Sequence, residues 1–208
     1  MSNYPISDFF SDYYFNEKRD SIIVNLRKRK PEDKITIQKI EFYNTYRNYV
    51  DTIYAKIKID CSNVDLLLQK AFEAYQLNRN EHAEINVGID AQNQKVLINI
   101  IEQCGFPNSN KNKKETVTNA FLILLHSDYQ IQKKYYNEVV QAIKIGDLRK
   151  PDIAYLEDKM ALTLGEKQKY GTQYDYDENG EILILPTDDL SKVNERRQEI
   201  GLPILESN

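Results

Sequence analysis

His126 and Asp128 are the residues of this chain best suited to acid–base chemistry. They sit inside a helix-forming stretch, Thr116 to Ile145. An imidazole changes charge near neutral pH, and a carboxylate among apolar neighbours can serve as a general acid or base, its pKa raised by burial. The stretch has no internal Gly or Pro and Gly146 follows it, so the pattern predicts one long helix. Leu124, Ile131, Tyr135, Val139 and Ala142 recur at helical spacing on one face. At about 100° per residue, Asp128 falls within about 40° of that line, beside Phe121, Leu124 and Tyr135. A carboxylate there must be paired, hydrogen-bonded or protonated, because a bare buried charge is costly.

On a regular helix His126 and Asp128 are about 200° apart, which excludes a dyad. His126 lies at the edge of the apolar arc, near Leu122, Tyr129 and Lys133. Three readings stand. The two residues are a half-buried His and an Asp that holds a neighbouring loop. They are catalytic acid–base groups. Or the helix breaks locally and the geometry changes.

A second polar group lies later: Asp158, Gln168, Tyr170 and Gln173, with Arg197 beyond them. Gln and Tyr both donate and accept hydrogen bonds. The expectation is that the Tyr170–Gln173 segment covers the central helix and that Gln173 or Tyr170 meets Asp128. These groups form either an internal hydrogen-bond network or a ligand pocket with unpaired convergent atoms.

Other chemistry is poorly supported. Gly-x-Ser-x-Gly, Walker and Rossmann patterns are absent. Gly165 to Gly171 lacks the Lys-Ser/Thr pair of a phosphate loop. Cys61, Cys104, His82 and His126 have no zinc-ligand spacing. Asp175 to Ile182 matches the opening of an EF-hand loop, but Pro186 occupies the place of the bidentate Glu and a strand follows. No metal and no cofactor are expected.

The net charge of -4 and pI near 5.4 argue against a nucleic-acid partner, since the basic runs are confined to Arg27–Lys30 and Lys111–Lys114. Two cysteines suggest no disulfide framework and fit a reducing compartment. No leader pattern and no membrane-length apolar run appear, so a cytoplasmic protein without membrane association is expected.

These groups need a scaffold, and the pattern gives a mainly α fold: a multi-helix bundle with one small C-terminal β-hairpin. Met1–Phe15 is aromatic and reads as a docking segment or a partner-binding arm. Helices follow over Glu17–Lys30, Glu32–Ile59 and from Val64, the last capped by Ser62 or Asn63. Glu81–Glu84, with His82, closes that region. Val87-Gly88-Ile89 reads as a turn and Asp90 as the cap of Ala91–Gln103, which Gly105 stops. Pro151 opens a helix that Gly165 ends. Asn179-Gly180 between two β-prone runs marks the hairpin. Asp189 caps a helix from Leu190 to Ile200, Gly201 ends it, and Leu202–Leu205 packs back. The expected organisation is an N-terminal helical region, 1–89, and a helical domain with the hairpin, 90–208, in one continuous globule.

From Asp90 onward the sequence resembles a bacterial family of no assigned function, the domain-of-unknown-function family 6624. Gly105-Phe-Pro107, His126-Ser-Asp128, Ala154-Tyr-Leu-Glu-Asp-Lys159, Gly165–Gln173, and Asp189 with Val193, Arg197 and Gly201-Leu-Pro203 carry the resemblance. Phe106, Leu125 and Lys159 stand where the family usually has Trp, Gln and Arg. If that Gln and Arg are functional in relatives, this chain is altered or inactive. The resemblance implies positions and no reaction.

Three functions fit: a binding or interaction module for a protein partner or small polar ligand, a hydrolase or transferase using Asp128 or His126, and an accessory or immunity-like protein. The first is the reading carried forward.

Overall fold

The computed structural model describes residues 49, 51–79, 86–176, 180 and 182–205. The aromatic N-terminal segment, the Glu17–Lys30 helix with its basic run, His82 and its neighbouring carboxylates, and most of the expected helix from Glu32 lie outside those residues. So do Asn179 of the hairpin turn and Asp177 of the EF-hand-like loop. The described chain is mainly helical with one two-stranded antiparallel hairpin. It divides into two compact units, one ending at Pro107 and one beginning at Asn108.

In the first unit, α1 (Val64–Asn78) packs on α2 (Val87–Cys104). The pair is clamped at both ends. Cys61, just before α1, is disulfide-bonded to Cys104 at the end of α2. At the other end Arg79 makes a two-pronged contact with Asp90, 2.9 Å for each prong, and its guanidinium lies 4.1 Å from the Tyr75 ring centre. Fork-to-fork geometry of this kind gives the strongest ion pairs. The helices are therefore antiparallel.

Several expectations change here. Val87-Gly88-Ile89 is helix, not a turn. Asn86 is the cap and accepts from Gly88 N, which frees Asp90 for Arg79. Asn63 precedes α1 but makes no side-chain cap; Asp60 accepts from the Ser62 amide and hydroxyl instead. The absence of a disulfide is also overturned. Two cysteines flanking one helical hairpin suffice for a cross-link, and disulfides persist in oxidising surroundings, so the argument for a reducing compartment falls. No helix among the described residues is long and apolar enough to cross a membrane.

The expected helix through Ile59 ends early. Residues 51–54 are helical, and 55–60 are not. Side-chain amides on α2 take over the backbone bonds there. Asn99 accepts from Ile57 N at 3.1 Å and donates to Ala55 O at 3.0 Å. Gln103, one turn on, accepts from Ile59 N at 3.1 Å and donates to Ile57 O at 2.8 Å. The segment is paired as a strand would be, with two carboxamides standing in for the neighbouring strand.

The second unit starts with α3 (Lys114–Leu125). The predicted single rod then breaks at His126-Ser127-Asp128, giving α4 (Tyr129–Lys134), and bends again at Tyr135 before α5 (Tyr136–Lys144). Ser127 Oγ donates back to Ile123 O at 2.8 Å, and Gln132 Nε2 donates to Leu125 O at 2.9 Å, so polar side chains satisfy the carbonyls that the break releases. The apolar stripe survives: Leu124, Ile131, Tyr135, Val139 and Ala142 are all buried.

Next, α6 (Asp152–Thr163) packs on α3, α4 and α5. Then β1 (Tyr174–Tyr176) pairs with β2 (Ile182–Ile184), Tyr174 facing Ile184 and Tyr176 facing Ile182. Finally α7 (Leu190–Ile200) starts at Asp189, which accepts from Ser191 N, and ends at left-handed Gly201, both as expected. The tail does fold back: Asn194 accepts from Leu205 N at 2.7 Å and donates to Leu205 O at 2.9 Å.

The disulfide closes a sequence separation of 43 residues. On loop-closure entropy, its removal costs about 4 kcal/mol of stability. Denaturant unfolding with and without reductant checks this; coincident midpoints would refute it.

Candidate functional site

Three consecutive residues of α6, Glu157, Asp158 and Lys159, engage three different parts of the second unit. Successive helical side chains point about 100° apart, so a run of three spans much of a helix circumference.

Asp158 is fully buried. Its Oδ1 accepts from the amides of Lys169 at 2.8 Å and Tyr170 at 3.0 Å. Its Oδ2 accepts from the Thr172 amide at 2.9 Å and the Thr172 hydroxyl at 3.0 Å. The 169–172 loop wraps the carboxylate because Gly171 adopts φ +63. A Cβ there would lie 2.8 Å from Leu205 Cδ1 and 3.3 Å from Thr187 Cγ2, so only glycine fits both the conformation and the space.

The other late polar residues extend this network. Gln168, also fully buried, donates from Nε2 to Gln173 O at 2.9 Å and Leu185 O at 2.8 Å, and its Oε1 accepts from Gln173 N at 2.7 Å. It thereby holds the roots of both hairpin strands. Gln173 Nε2 donates to Thr172 Oγ1 at 3.2 Å. Arg197, on α7, donates from Nε to Pro203 O at 2.5 Å and from Nη1 to Tyr170 O at 2.6 Å. Burial draws the Arg197 guanidinium below its ordinary pKa. The structure thus gathers Asp158, Gln168, Tyr170, Gln173 and Arg197, and these bonds run among themselves and to the backbone.

Asp128 is not the partner of this segment. It begins α4 in extended backbone, φ -60 and ψ 149, and is half-buried. The bonds of the 169–172 segment go to Asp158 instead. Placing Asp128 inward assumed a continuous helix, and the break changes its direction. His126 ends α3, also half-buried, with Lys159 Nζ 3.1 Å from its Nδ1. An ammonium only donates, so Nδ1 is the acceptor and the ring proton is on Nε2.

Glu157 completes the run. It accepts from the Tyr136 hydroxyl at 2.6 Å and from Lys169 Nζ at 3.2 Å. Burial, then the hydrogen bond to Glu157, then its charge, raise the Tyr136 phenol well above its ordinary pKa. Burial and Glu157 raise Tyr170 as well. Sequence reasoning missed Glu157, Tyr136 and the role of Lys159. The available signal was the unbroken polar triplet in α6, where an amphipathic helix would spare at most one inward charge. Among the described residues no group of three or more His, Cys, Asp or Glu side chains is arranged to hold a metal ion.

These features define a helical domain in which a hairpin is fastened to the bundle through one buried carboxylate. The chain belongs to the family of unknown function DUF6624, whose model matches residues 62–208. No curated protein and no solved structure matches the chain.

Asp158→Asn keeps the shape but sets an NH2 group against at least one backbone N–H in either amide orientation and removes the charge that strengthens the other bonds, for an expected loss of about 2–4 kcal/mol. Chemical denaturation measures it, and an unchanged midpoint would sink the carboxylate's anchoring role. Alkaline titration followed by tyrosinate absorbance tests Tyr136. Its raised pKa contributes stability below the unfolded value of about 10, lost as pH rises through the folded value. Tyr136→Phe should remove a late-ionising tyrosine; a variant that instead loses an early-ionising one contradicts the assignment.

Proposed function

We propose that this protein is a binding module whose polar site is the His126–Lys159 pair at the helix break. Its ligand is small and presents an oxygen acceptor such as a carboxylate or phosphate. The observation that supports this most is the 3.1 Å separation of Lys159 Nζ from His126 Nδ1. A general base needs an available lone pair, and the lysine occupies the one on Nδ1. Both groups of the pair are donors of the kind an oxygen acceptor takes: N–H on Nε2 and the ammonium. Both side chains are half-buried, so the pair borders solvent and retains a partly sheltered position. Asp158 is unsuited to proton transfer in a different way, since both its oxygens already accept two hydrogen bonds. The hydrolase or transferase alternative then rests on Asp128 alone.

The chain has two histidines, so imidazole nitrogen NMR at neutral pH is readily assigned with His126→Gln. The expected state of His126 is the neutral Nε2–H tautomer, with shifts on titration by inorganic phosphate or acetate. Lys159→Met should weaken that binding about tenfold or more, because a charge-assisted hydrogen bond contributes about 1.5–3 kcal/mol. A ring protonated on Nδ1, or anion shifts unaltered by Lys159→Met, would overturn the reading.

A further inference from the structure

We propose that the Cys61–Cys104 disulfide is a reversible thiol–disulfide exchange site, with a dithiol as co-reactant, and that it sets how freely residues 55–60 leave the side of α2. The segment has two anchors. At one end Ile53 is fully buried in the short helical stretch 51–54. At the other Ile59 is buried, and Cys61 is covalently bonded to Cys104. Between them lie the carboxamide bonds from Asn99 and Gln103 and the ion pair of Lys56 with Glu102. All of these α2 residues fall in its final two turns.

Two observations set this bond apart from a staple on which the whole unit relies. First, the α1–α2 pair has other attachments. Val64 and Leu68 of α1 and Leu97, Ile98 and Ile101 of α2 are buried, and Arg79 grips Asp90 at the far end. Second, the reduced form has a place for its thiol. Cys61 Sγ lies 3.8 Å from Gln103 O, a carbonyl of the last turn, where the helix has no amide of its own to offer. A reduced Cys61 has an S–H to donate there. That bond is weak, but it keeps the sulfur beside α2 and within reach of Cys104 for reoxidation.

Access decides where exchange begins. Cys61 is exposed and Cys104 is half-buried. A thiolate of the dithiol attacks Cys61 Sγ; a new S–S bond forms there as the Cys61–Cys104 bond breaks, and Cys104 leaves as the thiolate. The second thiolate of the dithiol then attacks its partner sulfur in the mixed disulfide and expels Cys61. Two electrons pass from the dithiol, which becomes a disulfide, to the cysteine pair. The two protons that the dithiol gives up to water are the two that Cys61 and Cys104 take from it. Residues 55–60 then keep the Ile53 end and the carboxamide bonds but lose the covalent anchor. Their departure from α2 uncovers Ile57, Ile59 and the amide groups of Asn99 and Gln103.

The test uses the full chain without denaturant, reduced by dithiothreitol and returned by its oxidised form, with thiols counted by alkylation and mass spectrometry. Complete reduction and reoxidation are expected. In the reduced chain the methyl resonances of Leu68 and Ile98 should keep their dispersed positions. The amides of Ile57 and Ile59 should exchange with solvent at least about tenfold faster than in the oxidised chain. That exchange should respond little to low concentrations of urea, because a local opening exposes little surface. Glutathione, a monothiol, should leave its trapped adduct on Cys61. Cys61→Ser with Cys104→Ser should reproduce the reduced pattern; should that variant lose its fold, the reduced native chain carries the same measurement. Collapse of the Leu68 and Ile98 resonances on reduction, or exchange at Ile57 and Ile59 that climbs steeply with urea, would make the bond a staple and overturn the proposal. So would resistance to dithiothreitol, unchanged exchange at Ile57 and Ile59, or an adduct on Cys104.

Discussion

The second unit depends on a charge held out of water. Burying a carboxylate is tolerable only when its lone pairs are satisfied, and Asp158 achieves this with three backbone amides and a hydroxyl drawn from 169–172. The bargain runs both ways. The carboxylate is stabilised by the loop, and the loop, with little apolar content of its own, acquires a fixed conformation from the carboxylate. Because α6 also packs on α3, α4 and α5, an element with a firm apolar seat imposes order on one that lacks it. Glu157 and Lys159 carry the same helix's influence to Tyr136 and to His126.

A second device recurs in both units. At three places an extended segment is paired by carboxamide side chains. Asn99 and Gln103 pair with residues 55–59, Gln168 with Gln173 and Leu185, and Asn194 with Leu205. A carboxamide presents a donor and an acceptor side by side, the same complement as a peptide group. These pairings hold several non-helical segments by giving partners to backbone groups of residues 55–59, 173, 185 and 205.

What the sequence disclosed follows from range. Features encoded in neighbouring residues were legible: the stripe from Leu124 to Ala142, the Asp189 cap, the Gly201 stop, the hairpin and the returning tail. Features that depend on distant partners were not. Nothing local distinguishes Asn99 and Gln103 from ordinary polar residues of α2 until residues 55–59 lie beside them. The break at Ser127 was hidden because no Gly or Pro marks it; it is stabilised by Gln132 reaching back to Leu125 O. That one miss misdirected the site. With the rod taken as continuous, Asp128 looked like the inward carboxylate, and Asp158, four residues from Ala154 on a short helix, drew less attention. The late residues Asp158, Gln168, Tyr170, Gln173 and Arg197 were grouped together by the sequence, but the carboxylate expected to meet Tyr170 or Gln173 was Asp128, whereas Asp158 accepts from that segment.

The carboxamide pairings have a bearing on the chemical environments this molecule tolerates. An amide side chain neither gains nor loses a proton between mildly acidic and mildly alkaline solution, so these attachments hold the same complement of donors and acceptors throughout that range. They are also uncharged and therefore little affected by ionic strength. The segments moored in this manner, unlike the 169–172 loop held by the Asp158 carboxylate, therefore keep their attachments across a wide range of acidity and salinity.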